Sequence, residues 1–279
     1  MNSTPTLRTV ELFAIGNELL VGQVLDTNTH WLIREITGLG AHVRRAHILR
    51  DEYDEIGEAI GGAIRRRPRL IITTGGLGPT DDDLTYRALA RLLDLPLVED
   101  PVALDMVRQR YAYLASIRPN FSAELNEARR KMAQFPRGAA PLANPNGAAP
   151  GLALDINEHT TIVSLPGVPS EMKDIFATSM QPILARTIGA GGHVERTIVL
   201  DRGDESRIAA LLQLVQSAHP SVYVKSRGQM VEDGLHLTVV LSRGGSDLRA
   251  IRGEVDQTER DVVAGLMELG YAVLRVIGD

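Results

Sequence analysis

The sequence predicts an α/β protein: a parallel-rich sheet with helices on both faces, followed by a second, smaller α/β domain. Two observations predict this class. Through the first half of the 279 residues, short apolar runs alternate with amphipathic stretches of helical length, which is the pattern of βαβ units. The alternation then restarts after a glycine-rich break, TIGAGGH, at residues 187–193. We therefore expect one domain over residues 1–189 and another over residues 190–279, with one continuous domain as the alternative.

Hydrophobic periodicity and breaker residues predict the elements of the first domain. A loop at residues 134–151 is rich in proline and glycine but nearly uncharged, so we interpret it as an ordered loop near a site, with an ordinary surface loop as the alternative. The other predicted elements are, in order, a strand at 9–15, a helix at 27–38, a strand at 41–49, a helix at 53–67, a strand at 69–73, a helix that begins near Asp81, helices at 100–118 and 122–132, a hairpin of strands at 152–156 and 161–165, and a helix at 169–188.

The second domain is predicted from the same signals over a shorter stretch. Its expected elements are a strand at 194–200, a helix at 204–217, strands at 222–224 and 235–242, a helix at 246–269 and a strand at 271–276.

Composition excludes several classes of protein. A content of 44% hydrophobic and 23% charged residues is typical of globular proteins and argues against disorder. The net charge of −5, with four Phe and one Trp, argues against a nucleic-acid binder. Without cysteine there are no disulfides and no thiolate chemistry. No apolar run approaches the roughly 18 residues of a membrane span, and no export signal is visible, so we expect a cytoplasmic protein.

The strongest functional signal is a glycine-rich loop, TTGGLGPTDDDLT, at residues 73–85. Thr74, Gly75, Gly76 and Gly78 follow an apolar strand and precede a helix. Glycines let backbone amides approach a ligand, and a strand–loop–helix start of this kind is an anion site at the carboxyl edge of an open sheet. The loop is neither a Walker motif nor a dinucleotide fingerprint. The alternative is a plain tight turn.

Three consecutive aspartates, at residues 81–83, stand at the expected helix start. Capping uses one or two of them. Carboxylates beside a phosphate would repel it, since each like-charge pair about 4 Å apart costs on the order of 4 kcal/mol at an effective dielectric of 20. A divalent cation, Mg²⁺ or Mn²⁺, reverses that sign. The loop therefore predicts a phosphate ester bridged to Asp82 and Asp83 by a metal.

Two further loops follow apolar strands. Glu18 lies in GNELL directly after the first strand, and Gly167 and Glu171 lie in LPGVPSEMK. Because the carboxyl ends of parallel strands share one edge, we expect these loops to meet the glycine-rich loop. Glu18 is then a candidate general base or metal ligand. The alternatives are an exposed loop carboxylate for Glu18, helix capping for Asp26 and a plain strand–turn–helix for the third loop.

Lysine is rare in this chain, and its positions therefore attract attention. Only three of the 30 Lys and Arg residues are lysines. This bias suggests that a position that remains lysine needs a compact ammonium group instead of a planar guanidinium. Lys225 is on this ground a candidate phosphate contact from the second domain.

Four segments, in this order, resemble the N-terminal molybdopterin-binding region of the CinA family: VELFAIGNELLVGQVLDTNTHWL, TTGGLGPTDDDLT, NPNGAAPG and LPGVPSEM. The resemblance covers most of residues 8–185, and GDESRIAALL and YVKSR are similar to the small second domain of such proteins. It implies a three-layer, parallel-rich sheet of the MoaB/Mog-like type. Because the chain ends at Asp279, we expect it to lack the nicotinamide-nucleotide amidase domain that many CinA proteins carry.

The resemblance also implies an activity: divalent-metal-dependent hydrolysis of ADP-ribose or a related nucleotide pyrophosphate. The alternatives are a molybdopterin adenylyltransferase and a non-catalytic nucleotide-binding module. The expected partner is a small nucleotide, with no nucleic acid or membrane, and a homodimer is only a general expectation. The expected residues are Glu18, Asp82 and Asp83 for catalysis, Asp26, Asp82 and Asp83 for the metal, and Asn28, Thr74, Gly75, Gly76, Gly78, Thr80, Thr85, Asn146, Gly147, Gly167, Glu171 and Lys225 for substrate.

Overall fold

A computed structural model describes residues 8–189, 191–201, 203–231 and 234–278. The chain divides into two compact units. The first unit runs up to Gly189, except that the short segment Thr37–Ala41 groups with the second unit, which follows Gly189. Among the described residues, no helix is both long enough and apolar enough to cross a membrane.

The first unit alternates strands and helices as the periodicity predicts. Its elements are β1 (Thr9–Ile15), α1 (Asn17–Leu20), α2 (Thr27–Gly38), β2 (His42–Leu49), α3 (Tyr53–Arg66), β3 (Leu70–Thr74), α4 (Thr85–Leu92), β4 (Leu97–Glu99), α5 (Pro101–Ile117), α6 (Glu127–Lys131), β5 (Gln134–Pro136), β6 (Ala140–Leu142), β7 (Gly151–Asp155), β8 (Thr161–Leu165), α7 (Pro169–Ala177) and α8 (Gln181–Thr187).

The main sheet has the strand order β2-β1-β3-β8-β7-β6. Strands β2, β1, β3 and β8 run parallel, and β7 and β6 are antiparallel additions at one side. Strands β4 and β5 form a separate antiparallel pair. The predicted α/β class with a parallel-rich sheet is thereby confirmed, because the central strands are joined through helices as parallel strands must be.

Both faces of the main sheet are covered. Phe13 and Ile15 of β1 pack in one cluster with Ile56 and Ile60 of α3. Leu12 and Ala14, which alternate with them on the opposite face of the pleat, are also buried, as are residues of α2 and α7. An edge-to-face contact of Trp31 with Phe176, 5.0 Å between ring centroids, joins α2 to α7. The first unit therefore has three layers, with the sheet in the middle.

The second unit is built on an antiparallel sheet with the strand order β10-β11-β9-β12. One hydrophobic cluster joins both helices to a single face of this sheet. Its elements are β9 (Gly192–Leu200), α9 (Glu205–Ala218), β10 (Tyr223–Val231), β11 (Gly234–Gly245), α10 (Leu248–Glu268) and β12 (Val273–Gly278).

Two predicted helices of the first unit are wrong in their bounds. The helix expected near Asp81 begins at Thr85. Asp83 instead closes a turn, its Oδ2 accepting the Thr80 backbone N–H at 2.9 Å. The helix expected over residues 169–188 is two helices, α7 and α8. Pro182 explains the break, because it has no N–H to donate to the carbonyl of Thr178 four residues earlier.

Two other expectations for the first unit also need correction. The helix expected over residues 122–132 shortens to α6, because the Asn126 side chain caps its start by accepting the Arg129 N–H at 3.0 Å. The loop expected over residues 134–151 contains the short strands β5 and β6. Proline and glycine signals predicted irregular backbone there, but the pairing of these strands with β4 and β7 is a long-range feature.

A buried ion pair stands out in the core of the first unit. Glu11 of β1 is fully buried, and its carboxylate accepts hydrogen bonds from Arg66 of α3, with Nε to Oε1 at 2.9 Å and NH2 to Oε2 at 2.5 Å. The Arg66 pKa is raised, chiefly by this hydrogen bond. Removing one member of such a pair leaves an uncompensated buried charge.

We predict that Arg66→Leu lowers the free energy of unfolding by about 3–5 kcal/mol, because Glu11 loses its counter-ion. The double variant Glu11→Leu/Arg66→Leu should recover most of that loss. Arg65→Leu, an exposed neighbour on α3, is the matched control. Trp31, the single tryptophan, lies in the first unit and reports its denaturant unfolding by fluorescence. Equal stabilities of the Arg66 and Arg65 variants would contradict this account.

Candidate functional site

Three strand ends converge at one edge of the main sheet. The Gly75 N–H, after β3, donates to the Leu165 carbonyl at the end of β8, at 3.0 Å. A Cβ on Gly75 would overlap the carbonyl oxygen of Ile15, at the end of β1. A Cβ on Gly167 would lie 3.4 Å from the Gly75 Cα. The structure thus brings all three sequence-selected loops to one place, which we call the carboxyl-edge site.

The glycine-rich loop adopts a left-handed backbone that glycine favours. The φ angles are +99° at Gly75 and +66° at Gly76. Thr85 braces both residues: its hydroxyl donates to the Gly75 carbonyl at 2.8 Å, and its N–H donates to the Gly76 carbonyl at 3.1 Å. Thr74 and Thr85 are both buried. Thr85 therefore shapes the loop, and substrate contact by Thr74 or Thr85 stays a prediction.

The amides of the loop divide into two groups. The Gly75 N–H is occupied by Leu165, so the expectation that it holds a phosphate has a competing partner. Within the part of the chain that the structure describes, the N–H groups of Gly76, Leu77 and Gly78 donate to no protein atom. Consecutive backbone N–H groups of this kind form an anion-binding concavity.

The aspartate turn lies directly beside the loop. The Thr80 hydroxyl donates to Asp83 Oδ2 at 2.5 Å, and the Lys131 ammonium donates to the Thr80 carbonyl. Asp82 is exposed, and the Thr80 hydroxyl and the Lys131 charge hold its pKa below the ordinary value. Because the Thr80 hydroxyl donates its proton within the turn, Thr80 orients the aspartates and does not face the loop amides.

Asp51 is a site residue that the sequence interpretation missed. It follows β2, and its Oδ2 accepts the Asn17 N–H at 2.9 Å. Its Oδ1 would lie 3.4 Å from a Cβ on Gly76. Burial is the main cause that raises the pKa of Asp51, and the charges of Glu18, Asp82 and Asp83 raise it further. Like Glu18, Asp51 is a carboxylate just after a strand at this edge, and that position is the signal by which the sequence could have identified it.

The carboxylates fit a cation that is shared with a ligand. No group of three or more His, Cys, Asp or Glu side chains is arranged as a ready metal site among the described residues. Yet Glu18, Asp82 and Asp83 are each close enough to Asp51 for their charges to act on it. Mg²⁺ is commonly held by one or two carboxylates together with substrate phosphate oxygens. The donor set matches that arrangement.

Asp26 has a different role in the structure. Its Oδ1 accepts the Thr29 N–H at 2.9 Å, so it caps α2. This is the alternative considered for Asp26, and its role as a metal ligand remains a prediction without structural support. Asn28, two residues on, donates from Nδ2 to the Gly167 carbonyl at 2.7 Å and ties α2 to the third loop.

The NPNG loop is fastened to α7. Asn144, which the sequence interpretation missed, donates to Glu171 Oε2 at 2.8 Å and accepts the Gly147 N–H at 2.8 Å. A Cβ on Gly147 would overlap Glu171. Asn146 is exposed and donates to Asp174. These contacts give Gly147 and Glu171 a structural function, and their contact with substrate stays a prediction.

Lys225 lies on β10 in the second unit. It is exposed, and none of the contacts described above for the carboxyl-edge site involves it. A phosphate contact by Lys225 therefore stays a prediction.

Comparison with known proteins defines the class. The family described as "Probable molybdopterin binding domain" matches residues 11–186. A protein from Aeropyrum pernix is 39% identical over 264 residues, which cover 94% of this chain and 95% of that one. A protein from Pyrobaculum arsenaticum is 38% identical over 240 residues, 85% of this chain and 87% of that one.

One solved structure is also similar in sequence. The protein CinA from Thermoplasma acidophilum, of unknown function, is 33% identical with a TM-score of 0.57, over 64% of this chain and 98% of that one. The chain therefore belongs to the molybdopterin-binding domain family, and its first unit has the MoaB/Mog-like fold. Within that family it is a CinA-like protein.

We predict that Gly75→Ala destabilises the first unit by more than about 2 kcal/mol, because the left-handed φ and the Ile15 carbonyl both oppose a Cβ. Gly167→Ala is the matched control, since its Cβ meets only an ordinary contact with Gly75. Thermal melting of both variants checks this. If Gly75→Ala has the same melting temperature as the wild type, the packing of the strand ends is not the constraint we describe.

Asp51→Asn should raise the melting temperature near neutral pH by a few degrees. The folded-state pKa of Asp51 is raised above 3.8, so ionised Asp51 opposes folding, and the penalty grows as pH rises through the folded-state pKa. The gain should shrink as pH falls toward the ordinary aspartate range. Melting curves across pH test this, with Asp105→Asn, a half-exposed position on α5, as the control. A lower melting temperature for Asp51→Asn at neutral pH would refute it.

Proposed function

We propose that the carboxyl-edge site binds molybdopterin through its phosphate and joins that phosphate to the adenylyl group of ATP. The family to which the chain belongs is described as molybdopterin-binding, and the match includes every loop of the site. The observation that carries the proposal is the row of amides at Gly76, Leu77 and Gly78, which donate to no described residue, beside the Asp51, Asp82 and Asp83 carboxylates. Amides suit a phosphate, and carboxylates suit the cation that accompanies a polyphosphate.

The transfer requires two phosphates held in line. A phosphate oxygen of molybdopterin forms a bond to the α-phosphorus of ATP, the bond from that phosphorus to the bridging oxygen breaks, and pyrophosphate leaves with the electron pair. The loop amides bind and orient one phosphate, which supplies the positioning that such a transfer needs. Thr85 holds the loop in place through its bonds to Gly75 and Gly76.

The carboxylates control charge at the site. Asp82 and Asp83 would hold a divalent cation, with Asp51 as a further ligand, and such a cation neutralises the charge that develops on a transferred phosphoryl group. Thr80 and Lys131 hold the aspartate turn in position before any ligand binds. Glu18 stays a candidate base; its Oε1 would lie 2.5 Å from a Cβ on Gly16, so its side chain folds back over the end of β1.

Hydrolysis of ADP-ribose, the activity expected from the sequence, would use the same parts with water as the nucleophile. The family comparison supports the molybdopterin role and gives no support to hydrolysis. Hydrolysis is therefore kept as an outcome of the experiment.

The deciding experiment incubates the full chain with ATP and molybdopterin, or with ADP-ribose alone, in Mg²⁺, Mn²⁺ or chelator. Products are separated by liquid chromatography. We expect adenylylated molybdopterin and pyrophosphate, only when a metal is present. AMP and ribose 5-phosphate from ADP-ribose would favour the hydrolase instead. Nucleotide binding without turnover of either substrate would favour a binding module.

Asp83→Asn should lower turnover by about 10²-fold, a loss typical of removing one preorganised charge-stabilising group. Asparagine can still accept the Thr80 hydrogen bonds, so the turn and the melting temperature should be preserved. Asp81→Asn is the matched control, because no role is assigned to Asp81. Equal activity of the two variants would remove Asp83 from the mechanism.

A further inference from the structure

Strand β10 forms one edge of the antiparallel sheet in the second unit. It pairs with β11, and no strand pairs with its other side among the described residues. The Val224 N–H donates to the Gln216 side chain at 3.1 Å and not to β11. In an antiparallel pair, alternate residues turn their backbone groups outward. The outward residues of β10 are therefore Val224, Ser226 and Gly228.

Gln216 closes only the beginning of this edge. Its Oε1 accepts the Val224 N–H, and its Nε2 donates to the Val222 carbonyl at 2.8 Å. No described residue accepts from the outward N–H groups of Ser226 and Gly228. Unpaired N–H and C=O groups in this arrangement are a template for another strand.

A groove accompanies the open edge. It has a volume of about 930 Å³ and lies between α9 and β10. The α9 residues that line the groove recur every three or four positions, so they lie on one face of the helix. That face forms one wall of the groove. That wall carries hydroxyl and amide side chains, and the Glu205 carboxylate, which accepts a hydrogen bond from the Ser226 hydroxyl, over an apolar floor that includes Leu212 and Val224. A groove between a helix and an edge strand accepts an extended peptide as an added strand.

The charges of β10 indicate which peptide fits. Lys225 and Arg227 are exposed and alternate with Val224 and Ser226, so they share one face of the strand. A second copy of the chain, paired antiparallel about Ser226, would place Lys225 opposite Arg227 of its partner. Like charges directly opposite are destabilising, whereas opposite charges stabilise a cross-strand pair. The edge therefore disfavours a second copy in that register and favours an acidic strand.

We infer that β10 and α9 form a docking site for an extended acidic peptide segment of another protein. The segment pairs its backbone with Ser226 and Gly228. Acidic residues at alternate positions face Lys225 and Arg227, and the intervening small or aliphatic residues enter the groove. This site is independent of the chemistry proposed for the first unit.

The test uses the full chain and fluorescein-labelled heptapeptides in an anisotropy titration. The first probe alternates Glu and Val, the second alternates Lys and Val, and two further copies of the first are N-methylated at alternate residues along one backbone edge or the other. We expect the acidic peptide to bind, the basic peptide not to bind, and N-methylation of one edge alone to abolish binding. N-methylation changes only the probe, so the result does not depend on the folding of a variant.

The double variant Lys225→Glu/Arg227→Glu should bind the acidic peptide about tenfold or more weakly than the wild type, and should bind the basic peptide more tightly. Arg249→Glu/Arg260→Glu, at exposed positions of α10, is the control, because it changes the net charge by the same amount. Absence of binding, binding of both peptides alike, or equal effects of the two N-methylated probes would overturn the proposal. So would a chain that is dimeric by light scattering and becomes monomeric on charge reversal, since a second copy would then occupy the edge.

Discussion

The close approach of three strand ends is the constraint on which the rest of the first unit depends. Gly75 lies so near the Ile15 carbonyl that no side chain fits, and its N–H is used by Leu165. This packing draws the loops after β1, β3 and β8 to one edge. Thr85 then fixes the loop after β3 through its hydrogen bond to the Gly75 carbonyl. Among the described residues, the amides of Gly76, Leu77 and Gly78 donate to no protein atom.

Electrostatics then decide what those amides can bind. A row of N–H groups attracts an anion, but the surrounding carboxylates repel one. Burial is the main cause of the raised pKa of Asp51, and the charges of Glu18, Asp82 and Asp83 raise it further, so negative charge is already concentrated there. Lys131 compensates part of the charge through its contact with the aspartate turn. A phosphate with its own divalent cation satisfies both sets of groups, and this is the physical basis for the phosphoryl transfer proposed for the site.

Much of this arrangement could be predicted from local sequence. Apolar runs ending in glycine or acidic residues gave β1 and β3 and the loops at their ends, since periodicity and breakers are local signals. Asp51 was missed although it follows β2, because a single aspartate before a helix is indistinguishable from a cap. Asn144 was missed because its partner, Glu171, is distant in sequence. The start of α4 was misplaced because Asp83 serves a turn with Thr80, which only the folded loop reveals.

Individual backbone amides of the glycine-rich loop are the groups proposed to bind the anion, and NMR of the full chain measures them one by one. Inorganic pyrophosphate with Mg²⁺ is titrated into ¹⁵N-labelled, deuterated protein while backbone amide shifts are followed. We predict that the amides of Gly76, Leu77 and Gly78 move, while that of Gly75 keeps its shift because Leu165 already binds it. Stationary loop amides at saturating ligand, or movement of Gly75 in place of the other three, would contradict the account.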